Sequence, residues 1–360
     1  AMRALLSIVC ALFVWSVGSC SSATPRGGAV KANQQGAWSQ FSDYDSALSY
    51  AFNCMRKGQN PVCLRVKSDG PLIAQMLARD CVKYAMITKI NTVAMGNMVT
   101  LHLSYVDDTL LLAAHRGELP ESSLTTPQRN ALHKIQGVVR DIVKKNSDEY
   151  AQALAMHDYI LQTSAYDTKM KTWNHETVTV DLINTHRSVC DGYTRLYHMM
   201  LSMAGIENMI VVGSGDKNVS HSWNLVRIDG AWTHVDCTYD DPVPDEPGRT
   251  LRNYFGMPDS MIARNHTWTR ADYPKAASSS LYYPTTRGLR FKTMADFLRY
   301  CASYAAAGHK NICAYVQELD SSSADAKSMV EKTQNQLRLN VVNRMQVDAS
   351  TPGIIYCQFR

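Results

Sequence analysis

At 360 residues, with 45 % hydrophobic and 19 % charged residues, the chain has a globular composition and room for two or three compact units. Lys and Arg number 37 against 32 Asp and Glu, a formal balance of +5. No basic run with interleaved aromatics occurs, which argues against a nucleic-acid partner.

In chain order, the first feature is an apolar stretch from Ala4 to Val17, behind Arg3 and closed by Gly18 and Ser19. A positive start, an apolar run and a small-residue exit have the form of an export signal over residues 1–20. The run is shorter than the ~20 apolar residues of an ordinary membrane span. Val17-Gly18-Ser19-Cys20 also resembles the cleavage motif of bacterial lipoproteins, in which Cys20 is acylated and becomes the mature N-terminus. Ordinary signal cleavage near Ser21 to Ala23 is the other reading. The expected location is the bacterial cell envelope, membrane-bound only through that lipid, or the secreted fraction. Residues 21–38, rich in Ser, Gly, Ala and Gln, read as a tether.

Residues 39–108 form an N-terminal α+β module. Tyr44, Leu48, Ala51 and Met55 share one helix face, and Gly58 ends the helix. Val62 to Val66 has strand character. A second helical stretch near Leu72 to Ala78 leads to Met86-Ile87-Thr88 and the alternating Val99 to Leu103.

Residues 109–284 form the central core. Pro127 opens a helix carrying Leu132, Ile135, Val139 and Ile142 on one face. Ser147 caps the next, with Tyr150, Leu154, His157 and Leu161 inward. Residues 163–187 read as irregular. Then Tyr193, Leu196, Tyr197, Met200 and Leu201 mark an amphipathic helix that stops at Gly205, which puts Cys190 at its N-terminus. Free amides and the positive end of the helix dipole favour a thiolate there and supply a donor for an oxyanion. Further on, Asp229-Gly230 is a two-residue hairpin signal between His221–Ile228 and Ala231–Thr238. Pairing Ile228 with Ala231 makes opposite residues sum to 459, so Asp236 becomes the diagonal neighbour of His221 on one face. His234 shares that face and is the weaker base candidate.

Residues 285–360 repeat the first module. Phe291, Leu298, Tyr300, Gly308, Cys313 and Val316 match Phe41, Leu48, Tyr50, Gly58, Cys63 and Val66 at a constant offset, 291 − 41 = 250. A helix from Ala324 to Gln336 and a strand from Ile354 to Phe359 complete the parallel. Of the ten cysteines, Cys10 lies in the apolar leader and several others look like buried strand or helix residues. Their spacings contain no C-x-x-C and suggest no disulfide framework, zinc site or cofactor.

A thiol at a helix start, an imidazole and a carboxylate make an activated nucleophile: the base takes the thiol proton and the acid fixes the imidazole tautomer. The segments Val189-Cys190-Asp191-Gly192-Tyr193, His221-Ser222-Trp223-Asn224 and His234-Val235-Asp236-Cys237-Thr238-Tyr239-Asp240-Asp241-Pro242 resemble the transglutaminase-like superfamily. Asn253-Tyr254-Phe255 and Asn265-His266-Thr267-Trp268 resemble its tail, and Ser222, Cys237 and Tyr239 depart from its usual residues without removing a catalytic group. The resemblance implies an α+β papain-like core, a Cys helix packed on an antiparallel sheet, with Cys190 as nucleophile, His221 as base and Asp236 as orienter. It also implies attack on a peptide or protein amide through a thioester, resolved by water or by an amine. Tyr166 and Trp173 are candidates for a second oxyanion donor or an acceptor tunnel, with packing as their plainer role. Asp240 and Asp241 lack a His/Cys partner set for a metal, and Gly213-Ser214-Gly215 reads as a loop near the site. The competing function is a non-catalytic envelope-binding module on the same fold.

Overall fold

The computed structural model describes residues 38–241, 243–246, 250–321, 325–347 and 353–360. The expected signal with Cys10 and Cys20, and the tether except Trp38, lie outside them. Among the described residues no helix is long and apolar enough to cross a membrane. The chain forms two compact units, one ending at Gln128 and recruiting residues 175–177, the other taking the remainder.

The first unit opens with β1 (Ser39–Phe41), α1 (Tyr44–Arg56), β2 (Val62–Val66), α2 (Gly70–Cys81), β3 (Ile87–Met95) and β4 (Met98–Tyr105). They build a four-stranded sheet of order β1-β2-β4-β3, in which only β1 and β2 run parallel. Asp43 caps α1 by accepting the Ser46 N–H at 2.8 Å. Ala47, Leu48, Ala51, Cys54 and Met55 are buried, so the apolar spacing reaches the core as a single stripe. Gly58, at φ +67°, ends the helix: its N–H bonds Met55 O, and the Gln59 N–H bonds Cys54 O. Leu48, Met55, Leu64, Leu77 and Leu101 meet in the core between helices and sheet. The helix α3 (Asp107–His115) follows in the same unit.

The second unit starts within α4 (Thr126–Lys145), followed by α5 (Glu149–Thr163). Asp148, and not Ser147, caps α5, accepting the Ala151 N–H at 2.7 Å. The stretch expected to be irregular is largely ordered, with β5 (Ala165–Tyr166), α6 (Val178–Thr185) and β6 (Arg187–Ser188). Two residues of parallel pairing are too few for a periodic signal, and Val178, Val180, Leu182 and Ile183 on α6 are too nearly all-round apolar for one. Next come α7 (Cys190–Met203), β7 (Asn208–Ser214), β8 (Ser220–Ile228), β9 (Ala231–Val235), α8 (Cys237–Asp240), β10 (Phe255–Met257) and α9 (Asp259–Ile262). The strands form an antiparallel sheet of order β10-β9-β8-β7. The α7 helix is clamped to it: the Thr194 hydroxyl donates to Ser222 O at 2.9 Å, and Asn224 Nδ2 donates to Thr194 O at 3.0 Å.

The chain closes with α10 (Tyr283–Thr286), β11 (Arg290–Phe291), α11 (Met294–Ala306), β12 (Asn311–Val316), α12 (Gln317–Ser321), α13 (Ala326–Leu337), β13 (Val342–Val347) and β14 (Ile354–Phe359). The sheet order β11-β12-β14-β13 and its strand senses reproduce those of the first module. Phe41 pairs with Val66 and Phe291 with Val316, both at the 250-residue offset. Gly308 repeats the Gly58 helix stop, bonding Ala305 O while His309 bonds Tyr304 O. In the second half the offset becomes 326 − 70 = 256 for the helices, and 355 − 99 = 256 for the partners of Ala314 and Leu64. The shift arises where α12 is inserted.

Candidate active site

Cys190 is the first residue of α7, and Val189 before it offers no side-chain cap, so the first-turn amides are not taken by a capping side chain. The thiol is half-buried. Burial raises the thiols of Cys54, Cys237 and Cys357, and carries those of Cys81, Cys301 and Cys313 to about 12.

The hairpin that supplies the imidazole turns at Asp229 (φ +48°) and Gly230 (φ +82°), a two-residue loop of primed type, and pairs Ile228 with Ala231 and Asn224 with Val235. The ladder ends there, so Thr238 does not face His221 as a strand partner; Asp236 leaves the strand to become the N-cap of α8. It still reaches across: His221 Nε2 donates to Asp236 Oδ2 at 2.6 Å. Cys190 lies close enough to His221 to add to the upward pull on its pKa. Burial alone pushes the His221 imidazole down, but the charge and hydrogen bond of Asp236, aided by Cys190, outweigh it and carry its pKa to about 10. Burial in turn favours the neutral Asp236 carboxyl, yet His221 and His266 hold it well below the usual carboxylate range.

Asp236 is almost fully bonded. Its Oδ1 accepts the Thr238 and Tyr239 N–H groups at 2.9 and 3.0 Å, and its Oδ2 accepts a second imidazole, His266 Nε2, at 2.9 Å. The sequence places His266 only in the tail Asn265–Trp268; nothing in its spacing announces a contact with Asp236. His221, Asp236 and His266 are the one cluster among the described residues with metal-ligating atoms in mutual reach. Their N···O separations of 2.6 and 2.9 Å are hydrogen-bond distances. Ligands on a tetrahedral zinc at ~2.0 Å stand about 3.3 Å apart, so the donor set fits protons better than a cation.

His234 is committed elsewhere. Its Nδ1 accepts the Trp223 indole N–H at 3.0 Å and its Nε2 donates to Asp259 at 2.9 Å, which fixes one tautomer. Burial lowers its pKa. The Trp223 ring, held by that bond, stacks near-parallel to His221 with centroids 5.9 Å apart. Tyr239 lies against His221 from another side at 4.9 Å, and its hydroxyl accepts the Asp216 N–H at 2.9 Å.

Gly213 and Ser214 finish β7 and are not a loop. Two 2.9 Å bonds join Ser214 to Thr267, and a Cβ on Gly213 would lie 2.0 Å from Thr267 O. Asp240 belongs to a buried hydrogen-bond chain: it meets His157 Nε2 at 3.0 Å, with Asp158 on the other ring nitrogen and Arg252 bidentate on Asp158. His157 sits 83 residues away on α5, beyond any local pattern. Asp241 accepts the Tyr193 hydroxyl, and burial pushes its carboxyl up to about 6. Trp173 donates its indole N–H to Asp191 Oδ2 at 3.3 Å, and Arg195 Nε holds Asp191 Oδ1 at 2.8 Å. Half-buried Tyr166 pairs with Ser188 two residues before Cys190, and its hydroxyl is close enough to Cys190 and Asp236 to feel their charges.

Residues 136–237, the stretch holding Cys190, His221 and Asp236, match the transglutaminase-like superfamily. Over those residues the chain is similar to that superfamily, within an α+β fold. The kyphoscoliosis peptidases of Homo sapiens and Mus musculus align with it at 32 % identity over 76 residues and 24 % over 121 residues. These alignments cover 18 % and 30 % of this chain and 12 % and 18 % of those proteins, so the chain spans under a fifth of their length. Among solved structures, a TGase is 16 % identical, with 49 % of this chain and 51 % of its own covered and a TM-score of 0.28. The periplasmic domain of TgpA from Pseudomonas aeruginosa is 17 % identical, with 39 % and 53 % covered and a TM-score of 0.26.

Proposed function

We propose that this protein is a cysteine-dependent amide hydrolase or acyltransferase acting on peptides or proteins, with Cys190, His221 and Asp236 as its triad. The observation that carries the reading is the 2.6 Å hydrogen bond from His221 to a buried carboxylate, with the helix-start thiol of Cys190 close to the same imidazole. With its pKa near 10, His221 carries a proton at neutral pH, the form that pairs with a thiolate.

The Cys190 sulfur attacks the amide carbonyl carbon, and the oxyanion is met by the Cys190 backbone N–H. As the C–N bond breaks, the His221 proton moves to the leaving nitrogen and a thioester remains. Water then adds, giving its proton to His221, and the acid departs as the thiolate is restored. A Lys amine in place of water gives transamidation. Tyr166, beside Cys190, is the group from which a second oxyanion donor would come; Trp173 would serve only by releasing Asp191. Export, and lipidation at Cys20, belong to the same proposal and rest on the leader sequence; Cys20→Ala moves the protein out of the membrane fraction if the lipid anchors it.

The test is incubation with a peptide library followed by mass spectrometry. Cleavage, deamidation or amine incorporation that disappears in Cys190→Ala supports the reading. Product-free incubation with folded wild-type protein overturns it in favour of the non-catalytic binding module.

A further inference from the structure

Asp236 Oδ2 serves two imidazoles, and only one of them faces the thiol. His266 approaches from outside the hairpin, on a segment anchored to the β7 edge by the Ser214–Thr267 pair. It is buried, with 1 % of its surface exposed, and caged by rings: Trp223 and Tyr239 meet it edge-on at 4.8 and 4.6 Å, and Tyr254 lies at 5.7 Å. Its Nδ1 meets the acceptor Asn265 Oδ1 at 2.7 Å, and Asn265 Nδ2 donates to the Tyr254 hydroxyl at 2.8 Å. The ring therefore has one orientation, and in it Nε2 points at Asp236. A structural histidine would be satisfied by any acceptor; this one is spent on the oxygen that already binds His221.

We propose that His266 is a positioning residue that shares Asp236 Oδ2 with His221 and so limits how strongly the carboxylate holds the His221 proton. The inference rests on the catalytic reading of Cys190, His221 and Asp236 above. A carboxylate oxygen with two N–H donors spreads its negative charge over both, so each bond is weaker than it would be alone. In the proposed reaction His221 must give its proton to the leaving amine. A carboxylate devoted wholly to His221 would stabilise the imidazolium further and retard that transfer. The charged and titratable groups facing this pair are Cys190, Asp236, His234, Tyr239 and Tyr254, with Tyr166, Cys237 and Asp240 acting on the shared carboxylate; His234 is fixed by Trp223 and Asp259 and does not compete for Asp236.

The experiment uses the full chain and two variants. His266→Phe keeps a ring in the cage and removes the donor; His266→Gln restores an N–H near the same place. Histidine-selective ¹⁵N labelling, with His221 assigned by its loss in His221→Ala, gives the His221 titration. In His266→Phe we expect it to move up by about one pH unit, and in His266→Gln to return toward wild type. With a peptide amide as acyl donor, kcat should fall about tenfold in His266→Phe with KM unchanged, because the buried ring does not touch substrate; p-nitrophenyl acetate, whose phenolate leaves without a proton, should lose far less. An unmoved His221 titration in folded His266→Phe overturns the inference, as does a shift that His266→Gln fails to reverse. If His266→Phe does not fold, His266→Leu takes its place as the donor-free variant, read by the same titration against His266→Gln. Wild-type protein that turns over neither the amide nor the ester defeats the catalytic reading instead, leaving the titration to judge the shared carboxylate.

Discussion

Cys190 differs from the other thiols by its neighbours. Cys54, Cys81, Cys237, Cys301, Cys313 and Cys357 are all disfavoured as thiolates by burial, whereas Cys190 lies beside an imidazole that is charged below about pH 10. Limiting iodoacetamide at pH 6 should label Cys190 first, with half-buried Cys63 as the only serious competitor among the described cysteines, as peptide mapping will show. His221→Ala should slow the labelling more than Asp236→Asn, because the carboxylate acts on sulfur only through the ring. On turnover the Asn variant should be severe, on the order of 10³–10⁴-fold, since an amide that donates forces the wrong tautomer. The same pair sets a pH dependence. His221 has a raised folded pKa, so its contribution to stability is complete below its ordinary 6.5 and is lost as pH rises through about 10. The depressed Asp236 contributes above its ordinary 3.8, and that contribution is lost as pH falls below it. Urea titrations should therefore show the stability gap between wild type and Asp236→Asn widest near pH 4–6.5 and shrinking on both sides.

At the scale of elements, the site depends on the edge of one sheet. The β8–β9 hairpin brings His221 and Asp236 together by register, but His266 arrives because β7 accepts Thr267 at its rim. Gly213 permits that approach: any Cβ there would collide with the Thr267 carbonyl, and backbone cannot yield as a flexible side chain does. Gly213→Ala should cost about 2–3 kcal/mol in a urea melt. It should also blunt the selective alkylation of Cys190, although Gly213 touches neither the thiol nor the carboxylate. A melt shift without a change in alkylation would show that the rim supports the fold but not the site.

Across the whole molecule, one sheet order occurs twice, and the two instances differ where their surroundings differ. In β2 burial alternates, with Cys63 and Arg65 on the more open face; in β12 it is continuous from Ile312 to Val316. The second copy uses that face within its own unit, where the Cys313 thiol donates to Asn253 Oδ1 at 2.7 Å. The repeated helix stops give a paired test. A Cβ on Gly308 meets nothing within 4 Å, whereas one on Gly58 meets Leu110 Cδ2 at 3.1 Å and Leu119 Cδ2 at 3.4 Å. Alanine should cost about 1 kcal/mol at Gly308 from its positive φ, and up to about 1 kcal/mol more at Gly58, read from urea midpoints. Equal costs would mean that the leucines relax freely.

By itself the sequence determined what local periodicity and turn chemistry control. The helix over Tyr44–Arg56, the strands Val62–Val66 and Ile354–Phe359, the Asp229-Gly230 turn, the helix start at Cys190 and the 250-residue offset were all legible, because each is written within a few residues or repeated. The approach of Asp236 to His221 was legible in part: the two-residue turn leaves one register, but the ladder ends at Val235 and Asp236 reaches the ring from the start of α8. What depends on distant partners was not. His266 on Asp236 spans 30 positions, and His157 on Asp240 spans 83. The choice of Asp148 over Ser147 as cap turned on where α5 begins, a matter of a single residue. Tertiary packing decided these, because hydrogen bonds between buried polar groups are satisfied by whichever segment the fold delivers, and sequence separation leaves no trace of that delivery.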